Sequence, residues 1–340
     1  MKTLEKIELR NFSAMKIGGQ AKYLIEISDK NDLIEAWKFG RKKNLPLFPI
    51  GAGTNTIFSD NGHEKIILSM KNTGVFKTYE GPDFVNIEAG AGENWDDLVK
   101  WSIENGLSGL ETLSGIPGTV GACPIQNIGA YGSEVAKTII SVEFFDIDKC
   151  KFYEASNDQC EFSYRDSVFK KNLGKFIITK VAFQLSKMKP EIPQYKDVQL
   201  YFLAKKQSQA TAEEIRNAIL EIRKEKLPDP SVTPNCGSFF KNPIVDKTTL
   251  EQILVKYPEM TYFAMDADHS KLYAGWLIER VGLKGVQIGN VRIHNKSSLV
   301  ITNPEGKANF SELELAIHEI KTKVHDEFGV DLEVEPNIIQ

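Results

Sequence analysis

The chain has 340 residues, long enough for two or three domains that each bury a core of their own. Hydrophobic residues make up 41% and charged residues 26%, the proportions of an ordinary soluble globular protein. A net charge of -4 argues against a dedicated nucleic-acid binder, and the run Arg41-Lys42-Lys43 reads as a solvated face after a helix.

The opening Met1-Lys2-Thr3-Leu4-Glu5-Lys6 alternates charge with single apolar residues and lacks a signal peptide's apolar segment. No stretch of the sequence approaches the ~20 apolar residues that span a bilayer, so a cytoplasmic protein with no membrane partner is expected. Tyr23–Ile27 alternates like a strand, and Asp29 or Asn31 can cap the segment that follows. Leu33, Ile34, Ala36, Trp37 and Phe39 then give residues 32–43 a helical apolar face. Leu45-Pro-Leu-Phe-Pro-Ile50 is extended, and its two prolines place it at an edge or at the entry to a loop. Residues 65–70 and 84–89 are further strands, and Trp95 to Asn105 is a helix ended by Gly106.

A glycine-rich span, Ser114 to Gly132, precedes strands over 139–145 and 176–183. A polar stretch with two prolines and a tyrosine-bearing segment reach Lys206. A helix then starts at Thr211-Ala212-Glu213-Glu214, acidic in its first turn, and is stopped by Leu227-Pro228-Asp229-Pro230. Beyond that boundary lie a Gly-Ser-Phe-Phe turn, helices near 250–257 and 274–281, and a strand over 298–302. A long helix over 311–328 carries a Ser311/Glu314 capping box, and 330–339 alternates like a strand.

Cys123, Cys150, Cys160 and Cys236 include no C-x-x-C pair. Cys150 and Cys160 could face each other across a hairpin, but free thiols are expected. The five histidines lack ligand spacing, so no metal site is expected. No interface signature is evident, and a monomer is expected.

Three segments can bring backbone amides close to phosphates: Gly51-Ala-Gly53-Thr-Asn55, Gly90-Ala-Gly92-Glu-Asn94 and Ser114-Gly-Ile-Pro-Gly-Thr-Val-Gly121. A Rossmann fingerprint is absent, because Thr56 and Trp95 stand where the third glycine belongs. A Walker loop is absent too, since no Gly-Lys-Ser or Gly-Lys-Thr occurs. Three such loops within ~80 residues, with Asn55, Thr119 and Asn127 as side-chain donors, point to a large phosphate-bearing ligand.

The loops resemble those of FAD-binding proteins of the vanillyl-alcohol-oxidase type. Their order resembles the UDP-N-acetylenolpyruvoylglucosamine reductase family. The resemblance rests on Pro49-Ile-Gly-Ala-Gly-Thr-Asn55, Gly90-Ala-Gly92, Gly115-Ile-Pro-Gly-Thr-Val-Gly-Ala122 and Pro124-Ile-Gln-Asn-Ile-Gly-Ala-Tyr-Gly132. It continues through Tyr164-Arg165-Asp-Ser167, Lys226-Leu-Pro-Asp-Pro230, Gly237-Ser-Phe-Phe-Lys-Asn-Pro243, Ala274-Gly-Trp-Leu-Ile278, Leu283-Lys-Gly285 and Leu332-Glu-Val-Glu335. These motifs run from about residue 10 to the C-terminus.

The resemblance implies an α+β chain: an FAD-binding fold in two subdomains and a C-terminal α+β substrate-binding domain. The first subdomain would be 1–75, completed by 330–340. The second would be 76–228 with a substrate loop near 190–206, and the substrate domain 229–329. It implies non-covalent FAD, NADPH as reductant and a nucleotide-sugar substrate of peptidoglycan synthesis. Cofactor-binding residues would be Gly51, Ala52, Gly53, Thr54, Asn55, Gly115, Ile116, Pro117, Gly118, Thr119, Gly121, Ala122 and Asn127.

For the reaction, the resemblance assigns Arg165 to the substrate carboxylate and Ser238 to proton donation. Glu335 is the third partner, with Glu333 on the same side of an extended chain, so alternation does not separate them. Tyr195 matches a tyrosine that the longer form of the family places on a loop closing over the nucleotide. Tyr164, Lys226 and Asn242 complete the substrate contacts. Two other readings are a flavin oxidase of the same fold, with Cys123 the one thiol in 90–132, and a non-catalytic nucleotide-sugar binder.

Overall fold

Asp29 starts the first helix: its carboxylate accepts the Asp32 backbone N–H at 2.8 Å. The helix runs Lys30–Lys43, and Asn44 ends it in a left-handed conformation. Arg41, Lys42 and Lys43 occupy its last turn, where positive charge complements the helix dipole. The structure, a computed structural model, describes residues 2–340. Two compact units form, one from Met1–Ile7, Ala21–Ala52 and His63–Glu225, the other from Glu8–Gln20, Gly53–Gly62 and Lys226–Gln340.

In the first unit the helix joins strands Gln20–Ile27 and Leu47–Ile50, which both pair in parallel with His63–Met70 between them. Leu47–Ile50 lies at an edge, as its proline demands, because proline has no N–H for a ladder. Lys2–Glu8 forms the other edge. A second sheet is antiparallel, in the order Lys151–Ser156, Ile139–Asp146, Phe176–Ser186, Phe84–Gly90, Val75–Glu80. Its inner strand Phe84–Gly90 buries Val85, Ile87 and Ala89 in strict alternation. Three strands, Lys2–Glu8, Val75–Glu80 and Lys151–Ser156, escape the sequence reading because they are edge strands whose side chains are largely exposed.

Asn94 caps the Trp95–Glu104 helix by accepting the Asp97 N–H at 3.1 Å. Trp95 is buried in the core, and its indole N–H donates to the Leu113 carbonyl at 3.0 Å. That bond ties the helix to the start of the glycine-rich span, and truncating Trp95 to alanine would cost about 3–5 kcal/mol. The helices Lys196–Ala204 and Ala212–Lys226 pack Val198 and Phe202 against Ile215, Ala218, Ile219 and Ile222. Only residues up to Tyr195 therefore remain extended in the region expected to be a loop; a helix takes over at Lys196.

The second unit holds an antiparallel sheet ordered Asn235–Ser238, Val300–Thr302, Val291–Ile293, Gln287–Ile288. A three-stranded sheet, Ile244–Asp246, His269–Leu272, Tyr262–Ala264, lies beside it in sequence. Helices Lys247–Lys256, Ala274–Arg280 and Phe310–Phe328 supply Leu250, Leu277, Ile278, Leu313, Ile320 and Val324 to one core.

Three expectations change here. The long helix is boxed two residues earlier than expected: Asn309 accepts the Glu312 N–H, and Glu312 returns a bond to the Asn309 N–H. Asp60 accepts the Phe310 N–H at 2.5 Å, which anchors that helix start. Gly-Ser-Phe-Phe is not a turn but the bulged end of a strand, with Gly237 at φ +70°. Only Asn337–Ile339 of the last segment is a strand, paired in parallel with Thr56–Phe58. All four cysteines are free thiols. No helix among the described residues is long and apolar enough to cross a membrane.

Candidate active site

The first unit gathers two of the glycine loops and the start of the third. Strand Leu47–Ile50 delivers Gly51, whose missing side chain leaves room for Thr119: a Cβ there would lie 2.3 Å from the Thr119 hydroxyl oxygen. The loop at 90–94 is zipped to the loop at 117–122. Val120 N–H donates to the Glu93 carbonyl, Gly121 N–H to Ala91 and Trp95 N–H to Gly118, at 2.9, 2.9 and 3.1 Å. Gly121 fits only as glycine, since a Cβ would come within 2.6 Å of the Ala91 side chain. Gly115 turns at φ +69°, a region that costs any other residue strain.

Not every residue of these loops can donate to a ligand. The N–H groups of Gly121 and Ala122 are committed to Ala91 and Thr119. Asn127 is buried, with its amide donating to Glu134 at 2.9 Å and to the Ser163 carbonyl at 3.1 Å, while its oxygen accepts from Ala136. These three residues therefore brace the loop through the named donors. Ala52 and Pro117 are exposed at the loop surfaces, with Gly51 and Thr119 converging beside them. That narrow glycine-lined cradle fits the diphosphate of FAD, which needs close backbone approach.

Ser163 and Asp166 exchange two backbone hydrogen bonds of 3.2 Å, closing a two-residue turn of Tyr164 and Arg165. Arg165 sits at φ +55°, a position that glycine or asparagine normally fills. Its guanidinium donates to the Gly129 carbonyl at 2.6 Å and lies 5.3 Å from the Tyr164 ring. Tyr195 precedes the Lys196–Ala204 helix and meets Tyr131 edge to face, with ring centroids 5.3 Å apart.

Arg223 belongs to the same neighbourhood and was missed in the sequence. A Cβ at Gly115 would lie 3.2 Å from its Nε. Burial lowers its pKa, opposed by Tyr131 and Asp96; burial in turn raises that of Tyr131, opposed by Arg223. The signal was available: Arg216 and Arg223 stand seven residues apart, on one face of one helix. Lys226 closes that helix and is exposed.

The second unit carries Gly53, Thr54 and Asn55. Gly53, at φ +67°, approaches so closely that a Cβ would strike the Phe12 carbonyl, and the Asn55 carbonyl accepts the Asn337 N–H at 2.9 Å. Ser238 ends its strand at the bulge. Asn235 wraps that bulge, accepting the Gly237 N–H and donating to the Thr233 carbonyl, both at 2.8 Å. Buried Phe239 and Phe240 anchor the next two positions.

The C-terminal segment runs along this stretch. Glu335 N–H donates to the Phe239 carbonyl and Lys241 N–H to the Glu333 carbonyl, each at 2.9 Å. The two glutamates part company here. Glu335 is buried, while the exposed Glu333 carboxylate pairs with Lys241 at 2.5 Å. Between them Val334 bridges Phe240, so exposure and not alternation separates the two glutamates. Asn242 accepts the Ala274 N–H at 3.0 Å and so caps the Ala274–Arg280 helix.

Residues 21–154 match the FAD binding domain, and residues 229–339 match the C-terminal domain of UDP-N-acetylenolpyruvoylglucosamine reductase. The reductase of Flavobacterium johnsoniae is 36% identical, covering all of both chains, and that of Pseudomonas aeruginosa is 38% identical over 98% of each. The crystal structure of the Thermus caldophilus enzyme shares the fold, with a TM-score of 0.68 and 24% identity over 100% of both chains. p-Cresol methylhydroxylase shares it more distantly, with a TM-score of 0.51 and 11% identity over 96% of this chain and 83% of the other. The α+β FAD-binding fold with a separate C-terminal domain thus stands. The chain belongs to the UDP-N-acetylenolpyruvoylglucosamine reductase family.

Proposed function

We propose that the chain reduces the enolpyruvyl group of UDP-N-acetyl-3-O-(1-carboxyvinyl)glucosamine to give UDP-N-acetylmuramate, a step of peptidoglycan synthesis. It is an FAD-containing oxidoreductase with NADPH as reductant. FAD, when bound, would supply the hydride chemistry that links NADPH to the terminal methylene carbon of the substrate.

The chain's own residues handle the charge and the proton. Hydride addition pushes the double-bond electrons toward the carboxylate-bearing carbon, and Arg165 offers forked donors to that carboxylate as charge develops. Ser238 gives its hydroxyl proton to the carbon, closing the second new C–H bond and leaving an alkoxide that water reprotonates. A hydroxyl is a weak acid, but an enolate carbon is a strong base. Such proton donation contributes roughly 10²- to 10⁴-fold. Glu335 is the partner carboxylate for this delivery. Tyr195 and Tyr164, with Lys226 and Asn242, are assigned to the nucleotide-sugar. Thr119 and the backbone of Gly51, Ala52, Gly53, Thr54, Asn55, Gly115, Ile116, Pro117 and Gly118 are assigned to FAD. A cytoplasmic monomer fits a soluble substrate of this kind.

The observation that carries the reading is the backbone bond from Glu335 to Phe239, which sets the buried Glu335 beside the segment that bears Ser238. A non-covalent flavin is favoured because Cys123 is buried and its thiol is pushed well up, which makes it a poor nucleophile. Ser238→Ala tests the assignment by rapid-mixing absorbance. Flavin reduction by NADPH should persist, while reoxidation by the enolpyruvyl substrate falls at least 100-fold. Equal loss of both half-reactions would refute the role.

A further inference from the structure

Asp96 lies in the first turn of the Trp95–Glu104 helix and accepts three short hydrogen bonds from two residues. Its Oδ1 accepts the Gly115 N–H at 2.6 Å. Arg216, on the Ala212–Lys226 helix, donates through both terminal nitrogens, to Oδ1 at 2.6 Å and to Oδ2 at 2.7 Å. The forked pair is partly shielded, with side-chain exposures of 13% for Arg216 and 32% for Asp96. Such geometry is stronger than an ordinary surface ion pair.

An acidic side chain next to a loop meant for a diphosphate needs a reason. Unpaired, Asp96 would repel that ligand. Arg216 neutralises it, and Arg223 adds a further cation beside Gly115. Gly115 itself is held from two sides: the carboxylate fixes its N–H, and Leu220 of the helix would lie 2.8 Å from any Cβ. The turn's left-handed backbone is thus tied to a rigid helix before any ligand arrives.

We propose that Asp96 and Arg216 are positioning residues for the cofactor, a clamp that presets the Gly115–Thr119 turn for the FAD diphosphate. The inference rests on the reading of these loops as the FAD site. Neither residue touches the ligand; both act through the Gly115 backbone and the helix that carries Arg223.

The test is FAD release from the full-length holoenzyme on dilution, followed by the recovery of free-flavin fluorescence. Asp96→Ala and Arg216→Met should each weaken FAD binding by about 10- to 100-fold, the worth of a charge-assisted bond. The double variant should bind no more weakly than the weaker single variant, because both remove one clamp. Arg216→Lys keeps charge without the fork and should restore part of the loss. Asp96→Asn keeps an acceptor for Gly115 and should fall between wild type and Asp96→Ala. Should Asp96→Ala fail to fold, these two milder variants carry the test. Lower thermal stability with unchanged FAD release, or additive losses in the double variant, would overturn the clamp alone. A wild-type chain that holds no FAD would overturn the reading of the site as well.

Discussion

Arg165 offers a case in which stability and activity should come apart. It occupies a left-handed position, φ +55°, in the tight turn closed by Ser163 and Asp166. For a residue with a Cβ that conformation costs roughly 1–2 kcal/mol. Glycine avoids the strain but loses about 0.5–1 kcal/mol more in chain entropy on folding. Arg165→Gly and Arg165→Met both forfeit the bond to the Gly129 carbonyl, so that loss cancels between them. Arg165→Gly should therefore be more stable than Arg165→Met by about 0.5–1 kcal/mol, or roughly 2 °C in melting midpoint for a body of this size. Catalysis should not follow. Both lack the forked cation, and reoxidation of the reduced flavin by substrate should fall about 10²- to 10³-fold in each. Thermal melts and rapid-mixing absorbance measure the two quantities on the same preparations. If Arg165→Gly melted below Arg165→Met, or kept more than about a tenth of the wild-type rate, the case for a strained catalytic arginine would fail.

The two C-terminal glutamates separate in the same assay. Glu335→Gln should slow reoxidation by about 100-fold, whereas Glu333→Gln, which loses only an exposed pair with Lys241, should change it less than about 3-fold; similar losses in both would undo the assignment. Glu111 gives a pH signature. Burial raises its carboxyl pKa despite hydrogen bonds that include the Gly109 N–H at 2.6 Å. With the folded value above the ordinary 4.5, ionisation is easier in the unfolded chain, so stability falls as pH rises past 4.5 and stays lower at neutral pH. Glu111→Gln should raise the melting midpoint at pH 7 and leave it nearly unchanged near pH 4. A shift of equal size at both would show that the gain has another source.

The inner strands and the helices were legible because burial on one face leaves a period in the sequence. Val85, Ile87 and Ala89 alternate, and Leu33 and Ala36 share a helical face. Lys2–Glu8 and Val75–Glu80 have no buried residue, so no period records them. The misplaced capping box has a similar origin. Ser311 and Glu314 have the right spacing, but Phe310 must be buried and Asp60 holds its N–H, which fixes the helix start at Asn309. A local pattern proposes a cap, and distant contacts choose among the candidates.

The site divides along the same line. Glycines that allow a backbone to turn or approach are visible as residue types, so Gly51, Gly53 and Gly115 could be picked out from the sequence. Whether a neighbouring N–H faces outward depends on partners far away in the chain, and the sequence is silent on these. Gly121 and Ala122 belong to the motif yet turn their donors inward, and the Asn127 amide braces the Ser163 carbonyl beneath the Arg165 turn. The motif is therefore more than a list of ligand contacts. Part of it builds the scaffold on which Arg165 can sit in a conformation that arginine would not choose, and Asp96 does the same for Gly115 from outside any motif. A resemblance records that a position of this supporting kind is used, and the fold alone gives the direction in which its side chain points.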